Sequence, residues 1–291
     1  MKVHVTGPVP ARILAELEHD FDVVESPAGA DGLLVVLSTK VDAAYLDAAG
    51  PALKVVANYA VGVDNIDLES CRARGITVTN TPDVLTRATA ELTVAIMLSL
   101  LRRVAEGDRF IRAGRQWEFS LEFMLGQSLH DKTVLIVGPG RIGRETARLA
   151  EGFGATAVFA GRTDDLAALL ADADIVSIHC PSTPATRHLF DAAMLARMKR
   201  SAILVNAARG PVIDEAALVS ALQNGTIAGA ALDVYEHEPH VTEELLTLEN
   251  VVLTPHLGSA TRETRDAMGM LAISALRAVL LENRRPPNTV V

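Results

Sequence analysis

Short apolar runs alternate along the chain with stretches whose apolar residues recur every three or four positions, the pattern of strands alternating with amphipathic helices. Residues 2–6 read as a strand and 9–19 as a helix opened by the Pro8/Pro10 turn. Residues 22–25 form a short strand candidate, 32–38 a strong one, 42–49 a helix and 53–58 a further strand. A helix over 67–74 is closed by Gly75, and 76–80 is the last strand of this set. Only residues 26–31 separate the second and third strands, too few for the usual helical crossover. That spacing predicts either a frayed edge or a loop replacing a helix. Residues 81–114 hold two helices, of which 88–103 is apolar almost all round. Such a helix belongs at a domain junction, in a subunit interface or in a central core. Residues 117–130 read as a loop.

The pattern resumes at 132–137, with further strands at 156–160, 175–179, 202–206, 229–233 and 251–254. Helical patterns cover 145–150 and 166–171, and a long helix spans 262–283. Repeated alternation predicts an α/β fold with doubly wound parallel sheets. The long last helix can return to the first run, so the first domain is expected to be discontinuous. The expected division is 1–91 with 262–291 as the substrate domain and 92–261 as the dinucleotide-binding domain.

Gly138-Pro139-Gly140-Arg141-Ile142-Gly143 follows the apolar strand 132–137 and opens a helix. Gly138 permits the tight turn, Gly140 lets backbone approach a pyrophosphate, and Gly143 lets helix pack on strand. Arg141 and Ile142 complete a helix N-terminus suited to phosphate. Beyond the next strand, Gly161-Arg162-Thr163 stands where an acid would normally take the adenosine ribose hydroxyls. A small residue, a guanidinium and a hydroxyl there favour a 2′-phosphate, hence NADP over NAD, although Asp164 and Asp165 add negative charge nearby.

Composition narrows the partners. With 27 basic and 36 acidic residues the net charge is −9 and no basic cluster exists, so neither nucleic acid nor an anionic membrane is expected. The longest apolar run, 92–101, is too short to span a bilayer. Cys71 and Cys180 are far apart and in no metal-ligand spacing, so no metal site is expected and a reducing, cytoplasmic setting fits.

Three later strand ends carry chemistry. Asn206-Ala207-Ala208-Arg209-Gly210 places an Arg where ligands bind in open α/β sheets. Asp233-Val234-Tyr235-Glu236-His237-Glu238-Pro239 brings acids to a second strand end, and Pro255-His256-Leu257-Gly258 brings a histidine to a third. Singly, each is better read otherwise, Arg209 as a surface ion pair, His256 as a capping residue and the acids as a solvated face. Their occurrence at three successive strand ends argues for a shared site.

With these segments in hand, the chain resembles the D-isomer-specific 2-hydroxyacid dehydrogenases, and the match includes Asn58-Tyr59-Ala60-Val61-Gly62-Val63-Asp64 and Thr79-Asn80-Thr81-Pro82. The Asn-Tyr-Ala-Val-Gly segment is most similar to glyoxylate and gluconate-type reductases, while phosphoglycerate dehydrogenases usually carry an Arg there. The resemblance implies two Rossmann-like domains with an active-site cleft between them, usually in a homodimer. It implies an NAD(P)-dependent reductase of a small 2-oxo acid, glyoxylate or hydroxypyruvate first, giving the D-2-hydroxy acid. Under it, His256 protonates the carbonyl oxygen, Glu238 fixes the imidazole and favours its charged form, and Arg209 grips the substrate carboxylate. Val61 and Gly62 offer N–H groups to that carboxylate. Asp233 holds the nicotinamide carboxamide, Thr89 touches the cofactor from across the cleft, and Pro181, Ala207 and Gly258 add cofactor contacts. Glu236 is the neighbour not assigned to catalysis. The chain departs from the family near Pro27, in the short segment 163–174 and in the short loop 117–123. Phosphoglycerate or D-lactate dehydrogenases and a cofactor-sensing corepressor of the same fold are the alternatives.

Overall fold

A computed structural model describes all residues, Met1–Val291, and divides them into two compact units, Met1–Leu85 with Ser259–Val291, and Thr86–Gly258. The boundaries differ from the expected 91/92 and 261/262. Helix α4 starts at Thr86, two residues before its apolar pattern does, and it belongs with the second unit throughout.

Unit 1 is built on strands β1 (Lys2–Val5), β2 (Asp22–Val24), β3 (Gly32–Val35), β4 (Val55–Asn58) and β5 (Thr77–Thr79), all parallel, in the order β2-β1-β3-β4-β5. Helices α1 (Ala11–Asp20), α2 (Ala43–Ala49), α3 (Leu68–Ala73) and α11 (Arg262–Leu280) cover it. Alternate residues face opposite sides, as the pleat requires. Leu33, Val35, Val56 and Val78 pack with Leu46, Ala49 and Cys71. Val3, Leu34, Val55 and Ala57 pack with Ile13, Leu17, Ile273 and Leu276. The β2–β3 link is indeed a loop, and it passes from one edge strand to the far side of β1. It manages without a helix because the strands are so short. Seven residues extend up to about 23 Å at roughly 3.3 Å each, enough for three- and four-residue strands and two strand spacings of about 5 Å. The loop is pinned to β1 by Asp31, whose N–H donates to the Lys2 carbonyl while its carboxylate accepts from the Lys2 N–H, both at 2.8 Å.

Unit 2 holds a six-stranded parallel sheet of β6 (Thr133–Val137), β7 (Thr156–Ala160), β8 (Ile175–Ile178), β9 (Ile203–Asn206), β10 (Gly229–Leu232) and β11 (Val251–Leu253), ordered β11-β10-β9-β8-β6-β7. One face is covered by α4 (Thr86–Leu101) and α6 (Arg141–Gly152), through Ile96, Met97, Leu101, Ala147 and Ala150. The other is covered by α7 (Leu166–Asp172), α8 (Ala192–Leu195), α9 (Glu215–Gln223) and α10 (Glu243–Thr247). The apolar 88–103 pattern is thus a core helix on this sheet. Arg103, in a left-handed conformation (φ 55°), ends it and opens α5 (Val104–Arg112). The short 163–174 segment leaves β7 at the sheet edge, and Phe159 on it is exposed. No helix is long and apolar enough to cross a membrane.

Candidate active site

The fingerprint turn shows how each glycine is used. Gly138 has φ +95°, and a Cβ there would lie 2.6 Å from the Cys180 N. A Cβ on Gly143 would meet the Gly138 carbonyl oxygen at 2.6 Å, so α6 can seat on β6 only without a side chain. At Gly140 a Cβ would meet nothing within 4 Å. That residue caps α6 without a side-chain hydrogen bond, and the first turn of any helix carries N–H groups with no partner inside the helix. A helix N-terminus with no side-chain cap, beside a glycine whose Cβ position is open, fits a dinucleotide pyrophosphate. The helix starts at Arg141, within the motif, ahead of the readable pattern at 145–150, because its glycine-containing first turn has no apolar periodicity.

Two side chains beneath this turn have no counterpart in the sequence reading. His179 shares a 2.8 Å hydrogen bond with the Ser177 hydroxyl, and burial drives its imidazole down to about 4, so it is neutral. At the end of β7, the Asp164 carboxylate accepts from the Gly161 N–H at 2.7 Å, and Asp165 caps α7 through the Ala168 N–H. Arg144 lies over the Phe159 ring, 5.5 Å from its centre. Arg162 and Thr163 are exposed. Past β8, the Pro181 carbonyl accepts from the Thr186 hydroxyl at 2.6 Å.

The end of β9 is shaped by Asn206. Its carboxamide accepts from the Ala208 N–H and donates to the Arg209 carbonyl, both at 3.0 Å, which folds Ala207 and Ala208 into a tight turn. Arg209 leaves that turn half-buried, with one guanidinium nitrogen 2.7 Å from the Ala208 carbonyl.

At the end of β10 the fully buried Asp233 organises the following strand end. One carboxylate oxygen accepts from the Thr254 hydroxyl and the Leu257 N–H, and the other from the Gly258 N–H, at 2.7 to 2.8 Å. The His256 N–H donates to the Asp233 carbonyl. His256 itself sits in the left-handed region (φ 53°), a conformation that a non-glycine residue holds only when its surroundings fix it. The strained backbone aims the ring so that Nδ1 lies 2.7 Å from the Glu238 carboxylate. The other Glu238 oxygen accepts from the Tyr235 N–H at 3.0 Å. Burial pushes the Glu238 carboxyl up, but the His256 hydrogen bond and charge, the Tyr235 N–H and the nearby Arg209 charge together hold it below the ordinary glutamate value. Arg209, Glu238 and His256, from three strand ends, therefore share one neighbourhood. An imidazole held at Nδ1 by a carboxylate keeps Nε2 for a reacting oxygen and can give it a proton.

Glu236 is turned elsewhere, to His188 Nε2 at 2.6 Å and Arg187 at 3.0 Å. Thr89 needs a correction. It lies in unit 2, not in the first domain, and is buried, with the Cβ position of Gly258 only 3.2 Å from its methyl group. The expected 91/92 boundary cuts through α4, whereas the whole helix lies in unit 2.

In unit 1, Val61 and Gly62 follow β4 in a loop whose carbonyls are all held. The Ala60 carbonyl accepts from the Thr81 N–H, that of Val61 from the Asn80 carboxamide and that of Gly62 from the Asn58 carboxamide. In a trans peptide the N–H points opposite its carbonyl, so the N–H groups of Val61, Gly62 and Val63 are turned away from these partners. Asn58 and Asn80 were not singled out in the sequence, although both lie in its matching motifs.

Residues 94–258 match the D-isomer specific 2-hydroxyacid dehydrogenase, NAD binding domain. The glyoxylate reductase of Thermococcus litoralis is 41% identical, covering 99% of this chain and 96% of its own. The chain belongs to the D-isomer-specific 2-hydroxyacid dehydrogenases. As a member of that family it is an NAD(P)-dependent oxidoreductase. A solved structure of a Thermus thermophilus protein is 44% identical with a TM-score of 0.93, each chain covered in full. The NADPH-dependent glyoxylate/hydroxypyruvate reductase of Sinorhizobium meliloti, solved with NADP and malonate, is 35% identical with a TM-score of 0.90, covering 100% of this dehydrogenase and 96% of that chain. The alignment to the Thermococcus enzyme runs over 322 residues although this chain has 291, so the relative carries residues with no counterpart here.

Proposed function

We propose that this dehydrogenase reduces a small 2-oxo acid, glyoxylate or hydroxypyruvate first, to the D-2-hydroxy acid with NADPH. The observation that carries the reading is the Glu238–His256 pair, joined at Nδ1 with Nε2 free of it. When bound, the nicotinamide supplies the hydride. His256 gives its Nε2 proton to the carbonyl oxygen as that oxygen gains charge, and Glu238 stabilises the imidazolium that must be present beforehand. Arg209 binds the substrate carboxylate and polarises the carbonyl, which needs its planar fork. The outward N–H groups of Val61 and Gly62 suit a carboxylate oxygen. Asp233 keeps a lone pair beyond the three bonds it accepts, and the nicotinamide carboxamide is the group assigned to it. Thr89, Pro181, Ala207 and Gly258 contact the cofactor.

The preference for NADPH rests on Arg162 and Thr163, exposed at the end of β7, while Asp164 and Asp165 are engaged by backbone N–H groups. The named activities of the relatives support the substrate class. One observation favours NADH instead: the Asp164 carboxylate stands at the β7 end, where it can accept from a ribose hydroxyl. The enzyme acts as a homodimer in this reading, supported by the exposed apolar residues Ile111, Trp117, Phe119 and Leu121. The free, buried cysteines suit a cytoplasmic setting.

A panel of 2-oxo acids assayed by absorbance with NADPH and with NADH tests the proposal. Turnover of glyoxylate or hydroxypyruvate with a higher kcat/KM for NADPH is expected. Cofactor binding without turnover of either acid would overturn the substrate assignment.

A further inference from the structure

Glu215 opens α9, far in sequence from the proton-donor pair, and its carboxylate is buried. One of its oxygens accepts from the Glu236 N–H at 2.7 Å, and the other accepts from the Thr242 hydroxyl. Residues 236 and 242 are the two ends of the loop that carries Glu238. Glu236 returns the contact, since its carboxylate accepts from the Glu215 N–H at 3.5 Å. The opposite oxygen of Glu236 is taken by His188 Nε2 and by Arg187, whose guanidinium charge lies beside two adjacent carboxylates. Inside the loop, the His240 N–H donates to the His237 carbonyl at 2.9 Å. The loop is thus closed at both ends by a single buried side chain.

We infer that Glu215 is a positioning residue for proton transfer: by clasping residues 236 and 242 it sets the path of the loop that presents Glu238 to His256. This rests on the reading of His256 as proton donor. Glu215 touches neither substrate nor cofactor in this role and acts through Glu238. A buried carboxylate holding both ends of the seven-residue span 236–242 restricts it more than either loop-end contact alone would. Displacement of a catalytic group by about 1 Å can lower turnover about 100-fold, so the clasp has a kinetic signature distinct from fold stability.

The experiment is a double-mutant cycle on the full chain, with reduction of glyoxylate as the assay and NADPH fluorescence titration as the binding control. Glu215→Ala is expected to lower kcat about 10- to 100-fold while leaving the cofactor Kd within about twofold. In a Glu238→Gln background the same substitution should cost less than about threefold, because residues acting through one group are non-additive. Glu215→Gln, which accepts from the Glu236 N–H and donates to the Thr242 hydroxyl, should recover most of the loss. Equal losses in both backgrounds, or wild-type kcat in Glu215→Ala, overturn the clasp. Full turnover in Glu238→Gln overturns the proton-donor reading, and the clasp with it. Should Glu215→Ala not fold, Thr242→Val releases one loop end alone; a loss of about three- to tenfold confined to the Glu238 background supports the clasp, and an unchanged kcat refutes it.

Discussion

His256 presents Nδ1 to the Glu238 carboxylate at 2.7 Å across 18 residues of chain, each side chain arriving from a different strand end. The bond fixes which nitrogen faces the substrate and places a negative charge beside the imidazolium. Glu238→Gln keeps a hydrogen-bond acceptor but removes that charge, and it should lower the reduction kcat at least about tenfold. His256→Asn should remove most turnover while NADPH still binds, as read by fluorescence titration. Undiminished kcat in the Asn variant would end the proton-donor assignment.

Arg209 leaves a turn that Asn206 braces on both sides, so its guanidinium is aimed rather than free-swinging. Lysine keeps the charge but cannot make two parallel hydrogen bonds to a carboxylate. Arg209→Lys should reduce kcat/KM for the oxo acid about 100-fold, with ΔΔG‡ of roughly 2.7 kcal/mol. Steady-state kinetics check this, and a loss below about threefold would remove Arg209 from substrate binding.

Cofactor choice is expected to follow Arg162. Arg162→Ala should raise KM for NADPH more than about tenfold, the loss of a charge-assisted phosphate contact, and leave KM for NADH nearly unchanged. Equal effects on the two cofactors would show that no 2′-phosphate is read at this position.

Acid stability offers a test away from the site. Glu145 on α6 bonds to Arg148 and to Arg87 of α4, and these contacts, the Arg148 hydrogen bond foremost, hold its carboxyl down at about 2. A carboxyl with a lowered folded value adds stability above its ordinary value of 4.5 and loses it as pH falls toward about 2. Glu145→Gln should therefore flatten the dependence of unfolding free energy on pH between those values, with little added change above them. Parallel curves for both proteins in denaturant titrations would contradict the linkage.

The fold was largely legible because its signals are local. Gly138, Gly140 and Gly143 are read within one turn, and the buried strands declare themselves as apolar runs. The loop at residues 26–31 was legible as a spacing, although not the fact that β2 pairs with β1 and not with β3. What stayed hidden depends on partners distant in sequence. Asn58 and Asn80 matter because they hold two carbonyls of one loop, a relation that exists only once β4 and β5 lie side by side. Asp233 reads as a cofactor contact, yet its three bonds to residues 254–258 brace the loop bearing His256. Thr89 was assigned to the wrong unit because an all-round apolar helix carries no mark of where a compact body begins.

The return of α11 to unit 1 also sets an order of assembly. Ile273 and Leu276 cover Val3, Leu34, Val55 and Ala57, the apolar face of a sheet whose strands all precede residue 80. During synthesis that face emerges covered only by α1, through Ile13 and Leu17, until the whole of Thr86–Gly258 has been made. The continuous unit can thus complete itself first, reversing the usual amino-terminal-first sequence on the ribosome. The nascent chain must meanwhile keep a half-dressed sheet from sticking to its neighbours.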